Sequence, residues 1–233
     1  MVEQKGVQPP VRRAGTHQRE AGAASRRETR RRLLVAAGEL FAERGYAGST
    51  VTAIAERAGV SLQTLYLAWG SKRALLRAFA ETALSGRPEG TEDYLPGLQA
   101  EVDARAGGSP DPRDQLRGLA GLYRWLASGG TDRPPAALAW QLYRDAAAAD
   151  PEIAEDWAAL QQVRRSTFAA LLGRLLEHAL RPGLTREDAA QTAWVLVSPE
   201  TYDLVVRHAG RTLEQYERWL GDTLVAALLP DAP

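Results

Sequence analysis

An all-α fold is predicted, with a small helix-turn-helix head ahead of a larger helical body, on three observations. Thr50–Lys72 reads as two short helices joined by a tight turn, each opened by a capping hydroxyl and the first closed by glycine. Helix-start signals recur down the chain as Asp111-Pro112, Asp150-Pro151, Thr185-Arg-Glu-Asp188 and Ser198-Pro199. No stretch alternates with period two for long enough to suggest a sheet.

The elements follow in order. Residues 1–24 mix Gly, Pro, Gln and Arg with almost no apolar periodicity, and are expected to form a disordered basic arm carrying Arg12, Arg13 and Arg19. Ser25-Arg-Arg-Glu28 is a capping box, so the first helix should begin there. Its apolar stripe is Leu33, Leu34, Ala37, Leu40 and Phe41, and Gly45 should end it. Thr50 caps a helix whose inward face is Val51, Ile54, Ala55 and Ala58; small Ala55 permits a close crossing. Gly59 turns the chain where a left-handed residue costs least. Ser61 caps the next helix, with Leu62, Leu65, Tyr66 and Trp69 as its larger apolar groups, and Ser71 opens a fourth through about Ser85. Gly86-Arg-Pro-Glu-Gly90 is the expected boundary between a head of residues 25–86 and a body of residues 91–233.

The body is expected to be helical throughout. A weaker helix is placed at about Tyr94–Ala106, then Asp111 to Ser128, Pro134 to Ala149 and a long one from Asp150 to about Ala179. Thr185 starts another, which must kink or restart at Ser198-Pro199, and Thr212–Leu229 forms the last.

Composition narrows the function classes. The 233 residues contain no cysteine, which removes disulfides, thiolate metal sites and cysteine nucleophiles. His17, His178 and His208 are too scattered for a metal cluster, so neither metal nor cofactor is expected. No apolar run reaches the length of a membrane span and the basic, polar start lacks a signal-peptide core, so a cytoplasmic protein is expected. A formal net charge of zero hides an asymmetry: residues 1–90 hold 15 Lys/Arg against 8 Asp/Glu. A basic head on an acidic body suits a protein whose head meets nucleic acid.

The tip of the second short helix carries the chemistry. It opens with Leu62, Gln63 and Thr64, a short uncharged end that fits a DNA major groove. There Gln can bond adenine bidentately, and Thr can meet a thymine methyl. Arg26, Arg27, Arg30, Arg31 and Arg32 crowd the start of the first helix against its dipole, a cost that phosphate would relieve. Lys72 is placed beside the recognition helix as a phosphate contact.

Residues 25–79 resemble the DNA-binding domain of the tetracycline-repressor (TetR) family of transcription regulators. The resemblance rests on Leu40-Phe41-Ala42-Glu43-Arg44-Gly45-Tyr46, Thr50-Val51, Ile54-Ala55-Glu56-Arg57-Ala58-Gly59-Val60-Ser61, Thr64-Leu65-Tyr66 and Gly70-Ser71-Lys72-Arg73-Ala74-Leu75-Leu76. Where many members carry Tyr, any residue, His and Phe, this chain has Tyr66-Leu67-Ala68-Trp69. The family's His contact to phosphate has no counterpart, and Trp69 takes the aromatic packing role. A looser likeness covers the body, through Asp145–Pro151, Leu180-Arg-Pro-Gly-Leu184, Ser198-Pro199-Glu200 and Tyr216-Glu-Arg-Trp-Leu220. The resemblance implies a homodimeric repressor with a three-helix DNA-binding head and a ligand-binding, dimerising body. It would bind a near-palindromic operator and leave it when a small effector binds. Candidate DNA contacts are Arg26, Arg27, Arg30, Thr50, Thr52, Ser61, Leu62, Gln63, Thr64, Tyr66 and Lys72.

Within the body, Ile153, Trp157, Leu160, Phe168, Leu171 and Leu175 trace one helical stripe that Arg164 and His178 interrupt. A buried unpaired Arg is costly, so Arg164 must meet a carboxylate, reach water or line a polar pocket. Trp125, Trp140, Tyr143, Trp157, Phe168 and Trp194 are candidate aromatic lining, with Gln161, Arg164 and His178 as orienting groups. Aromatics at helical spacing are usually core, so no more than about half of the six should touch ligand. An apolar, aromatic effector is expected, anionic or carbonyl-bearing if Arg164 faces inward. The dimer is expected through Thr185–His208 and Thr212–Leu229, because Leu213, Tyr216, Leu220, Leu224, Ala227 and Leu228 make a stripe with few later partners. The alternative packs that stripe on the body's own core and puts the Asp150–Ala179 helix in the interface. Two other classes compete with the regulator: a helical interaction module that binds no DNA, and a helical enzyme, for which no acid/base or nucleophile constellation is visible.

Overall fold

The structure, a computed structural model, describes residues 14–85, 94–129, 134–176 and 179–231. Among them every regular element is helical. The head comprises α1 (Ala14–Gly48), α2 (Val51–Arg57), α3 (Leu62–Trp69) and α4 (Lys72–Ser85). The body follows as α5 (Tyr94–Arg105), α6 (Pro112–Ser128), α7 (Ala136–Ala147), α8 (Pro151–Leu175), α9 (Arg186–Leu196), α10 (Pro199–Tyr202), a π-helical segment Asp203–His208, and α11 (Leu213–Leu228).

Most helix starts fall where the caps put them. Asp111 accepts from the Arg113 amide at 2.7 Å, and Asp150 from the Glu152 amide at 3.0 Å. Thr185 and Ser198 each accept at 3.1 Å from the amide three residues on. Each bond satisfies one donor that a helix end would otherwise leave orphaned. At Ser198-Pro199 the helix restarts and then widens into the π turn. The first helix differs from expectation. It reaches back to Ala14, so residues 14–24 are helical rather than disordered and Ser25 lies inside the helix instead of capping it. The run Ala-Gly-Thr-His-Gln-Arg-Glu-Ala-Gly-Ala-Ala is rich in good helix formers, and a formed helix propagates through a Ser more cheaply than it restarts. Arg19 is exposed on this extension, while Arg12 and Arg13 lie outside the described residues.

Two apolar cores organise the chain. The first joins Leu33, Ala37, Leu40 and Phe41 of α1 to Ile54, Ala55, Leu65, Trp69, Leu75, Leu76 and Phe79 from the other head helices. It continues into the body through Ala139, Leu142, Tyr143 and Ala146 of α7 and Ile153 of α8. Gly38 makes the α1–α4 crossing possible: a Cβ there would stand 2.6 Å from the Phe79 ring. Arg57 ties α2 to α1 through Glu43 at 2.9 Å and Glu39 at 3.2 Å.

The second core packs α6 against α11, with Leu116, Leu119, Leu122 and Leu126 facing Tyr216, Leu220, Leu224 and Leu228. Phe168, Leu171 and Leu172 of α8 and Ala189, Ala193 and Val197 close it. Arg124 bonds Glu217 at 2.9 Å and Glu214 at 3.0 Å across the α6–α11 seam. The stripe on α11 is therefore internal, which removes the reason for placing it in a dimer interface. A helix late in the chain finds its cover on α6, about a hundred residues earlier, and spacing along the chain does not reveal that pairing. Trp157, half-buried on α8, packs on both cores.

Candidate nucleic-acid interface and aromatic cluster

The recognition helix α3 is fixed from both ends. At its start Ser61 Oγ accepts from the Thr64 amide at 3.1 Å and pairs with Thr64 Oγ1 at 2.8 Å. At its end Arg30 donates to the Ala68 carbonyl, with its guanidinium 3.7 Å above the Trp69 ring. Arg32 does the same for α2, donating to the carbonyls of Ala58 and Gly59. Cations at helix C-termini neutralise the negative dipole end and satisfy orphan carbonyls. Lys72 donates to the Tyr46 carbonyl at 2.9 Å and the Ser49 carbonyl at 3.0 Å, and lies 4.1 Å over the Tyr46 ring. Burial pushes its pKa down, with Asp150 acting the other way.

Two cations assigned to DNA phosphate from the sequence, Arg30 and Lys72, are thus internal ties of the head. Orphan carbonyls at the ends of α1 and α3 lie within their reach. Arg31 pairs with Glu28 at 2.9 Å. Arg26 and Arg27 point outward from α1. Gln63 is exposed, as are Thr50, Thr52, Ser61, Leu62 and Tyr66, while Thr64 is half-buried. Leu67 was missed by the sequence reading and is 82% exposed, one turn after Gln63 on the same face. Its signal was available: a Leu next to Tyr66, outside the inward spacing set by Leu65 and Trp69.

In the body the structure brings together most of the predicted lining. The Arg164 guanidinium sits 5.2 Å from the Trp140 ring centre, 5.7 Å from Phe168 and 5.9 Å from Trp194. Its Nη2 donates to the Val197 carbonyl at 2.8 Å. Gln161 precedes it by one turn. Trp157 meets Trp140 edge-on at 4.9 Å and stacks on Tyr143 at 6.0 Å. Tyr143 belongs to the first core, only 2% exposed. Trp125 lies under the Arg105 guanidinium at 5.1 Å. His178 lies outside the described residues. Tyr216, not singled out as lining, stands near Arg164. Burial pushes its phenol upward and Tyr202 adds to this, while Arg164 opposes it.

A clamp joins the two regions. Arg73 on α4 grips Asp156 with Nε at 2.6 Å and Nη2 at 2.9 Å, and reaches Glu152 with Nη1 at 2.5 Å. Hydrogen bonding from Arg73, the largest cause, holds the Asp156 carboxyl below its ordinary 3.8; burial opposes, and the Arg73 and Arg77 charges add. A depressed carboxyl stabilises the fold fully above its unfolded pKa, and that contribution is lost as pH falls through the folded value. Arg73→Gln should therefore be less stable than the parent at neutral pH, with the gap narrowing as pH drops below 3.8. Urea unfolding at several pH values reads this; a gap that stays constant into acid would remove Asp156 from the account.

A capped helix-turn-helix with an exposed polar tip, on a helical body, is an arrangement suited to meeting a DNA groove. Residues 33–79 match the family described as bacterial regulatory proteins, tetR family. The chain is 36% identical over 110 residues to the HTH-type transcriptional activator FasR of Mycolicibacterium smegmatis, a match covering 44% of this chain and 48% of that one. It thus spans about half the length of that curated relative. The fold is similar to SmeT in complex with triclosan, with a TM-score of 0.65 at 20% identity, covering 88% of this chain and 93% of that one. It is also similar to NalD, the secondary repressor of the MexAB-OprM multidrug efflux pump in Pseudomonas aeruginosa, with a TM-score of 0.60 at 20% identity, covering 88% and 99%. The likeness to the tetR family of bacterial regulatory proteins thus rests on the head, at residues 33–79. No helix among the described residues is long and apolar enough to cross a membrane.

Proposed function

We propose that the protein is a cytoplasmic homodimeric repressor that binds a near-palindromic operator and is released by a small, apolar effector. Residues 25–86 act as the DNA-binding head and residues 91–233 as the effector-binding and dimerising body. The observation that carries this reading is the Gln63–Thr64 tip, exposed at the start of a helix held at both ends. Gln63 and Thr64 read bases, with Leu62, Tyr66 and Leu67 against sugars or thymine methyls. Thr50, Thr52 and Ser61 lie beside the tip, and Arg26 and Arg27 supply the outward cations for phosphate.

The dimer is better placed on α8 and α9 than on α11. Ala159, Val163, Ser166 and Ala170 form an exposed, small and partly apolar stripe on α8, and Val195 is exposed on α9. A groove of about 380 Å³ between the two helices, lined by Gln162, Arg165, Leu172, Leu176 and Ala189 among others, adjoins that stripe. Faces of this kind are normally covered by a second copy.

One experiment tests the reading: selection of bound sequences from random DNA by the full-length protein and two variants. The parent should enrich inverted half-sites. Gln63→Ala should lose about 1–3 kcal/mol of discrimination at one base pair per half-site. Val163→Arg should sediment as a monomer and enrich no paired half-sites. Absence of any enriched sequence with the parent protein would sink the reading.

A further inference from the structure

We infer that the body's effector is a small apolar carboxylate, its oxygens received by Arg164 Nη1 and Trp194 Nε1. The inference rests on the proposed function, because it supplies the chemistry of that effector.

Three buried polar atoms without a partner among the described residues fall in one place: Arg164 Nη1, Trp194 Nε1 and Gln161 Oε1. The first two are donors, one of them cationic. The amide of Gln161 can present either its carbonyl or its N–H edge after a half-turn. An orphaned buried donor costs stability, and more so on a charged group. Among the described residues of the body, Arg105, Arg117, Arg124, Arg144, Arg165 and Arg207 each pair with a carboxylate. Among the described residues, the one hydrogen-bond acceptor of Arg164 is the neutral Val197 carbonyl. A half-buried guanidinium among three aromatic rings, with one neutral carbonyl as acceptor, suits an anion as its further partner.

The surroundings select the rest of the ligand. Trp140 and Phe168 are almost fully buried, and with Trp194 they flank the guanidinium. Their rings suit a planar apolar body, while Arg164 Nη1 and Trp194 Nε1 would each donate to one oxygen of a carboxylate. A cationic ligand would meet Arg164 with like charge, and a purely apolar one would leave both donors orphaned. Binding here also touches the helix that carries Trp157 and Asp156, and through them the head.

The test is calorimetric titration of the full-length protein with three probes of one shape: 1-naphthoate, 1-naphthamide and 1-naphthylmethylammonium. The acid should bind saturably and about tenfold or more tighter than the amide, with the ammonium weakest. Arg164→Gln should abolish the preference for acid over amide and leave amide affinity unchanged. Should that variant fail to fold, Arg164→Lys keeps the charge without the fork and should reduce the preference without erasing it. Trp194→Phe should weaken the acid alone. Equal affinity for the three probes, no binding of any, or an acid preference unchanged in the Arg164 variant overturns the inference. Operator selection is read separately: enrichment of half-sites without acid preference sinks only this inference. Acid binding without enriched DNA sinks the proposed function instead.

Discussion

Gly59→Ala is expected to destabilise the protein by about 2–4 kcal/mol and to weaken binding to every DNA sequence alike. Gly59 holds φ at 63°, between α2 and the cap of the recognition helix. A side chain in that conformation costs about 1–2 kcal/mol by itself. The added Cβ would also stand 2.9 Å from Arg32 Nη2. A flexible guanidinium can move aside, but moving removes its bonds to the Ala58 and Gly59 carbonyls at the end of α2. A hydrogen bond from a charged donor contributes about 1.5–3 kcal/mol, and less where water competes, as it does beside the exposed Gly59. Because the second of these losses is the loss of the Arg32 bonds themselves, Arg32→Ala and Gly59→Ala should cost less together than the sum of the single changes. Urea unfolding of the four proteins measures this. Strict additivity, or a Gly59→Ala cost below about 1 kcal/mol, would contradict the assignment.

Trp157→Ala should cost about 3 kcal/mol, the low end for a large aromatic because the ring is only half-buried. The second effect is larger in consequence. Trp157 leans on Trp140, beside Arg164, and on Tyr143, inside the core shared with the head. A ligand can shift the head only by binding its two arrangements unequally, and contacts that change together carry that difference. Operator affinity measured with and without saturating 1-naphthoate should therefore differ less in Trp157→Ala than in the parent. Trp157→Phe should keep most of the stability and part of the shift. A folded Trp157→Ala protein with the full ligand response would rule out this route.

What was legible in the sequence was mostly local. Thr50, Ser61, Asp111, Asp150, Thr185 and Ser198 could be recognised as caps because a cap is decided by a hydroxyl or carboxylate and the next three residues. Gly59 was legible for the same reason. The head was readable as a unit because its motif packs within about fifty residues. Three features were not. The cover for the α11 stripe comes from α6, a pairing set by tertiary packing. Arg30, Arg32 and Lys72 look like any basic run until it is known where the orphan carbonyls of other helices lie. Residues 14–24 were read from their glycines and polarity, whereas continuity with an established helix decides their state. The aromatic cluster stood between these cases: spacing found Trp140, Phe168 and Arg164, but it could not tell that Tyr143 belongs to the first core.

The first core has a consequence for recombining such proteins. Its boundary does not follow the head–body division expected from the sequence at Gly86–Gly90, since Phe79, Ala80 and Ala83 of α4 share it with Ala139, Leu142 and Tyr143 of α7. A chimera that moved only the head onto a foreign body would bring half of a fitted surface and leave the matching half behind. The portable module is larger than its motif: it includes α7 and the opening turns of α8. Under the proposed function, specificity for an operator would be exchanged by editing the tip at Gln63, but responsiveness would travel only with the helices beneath it.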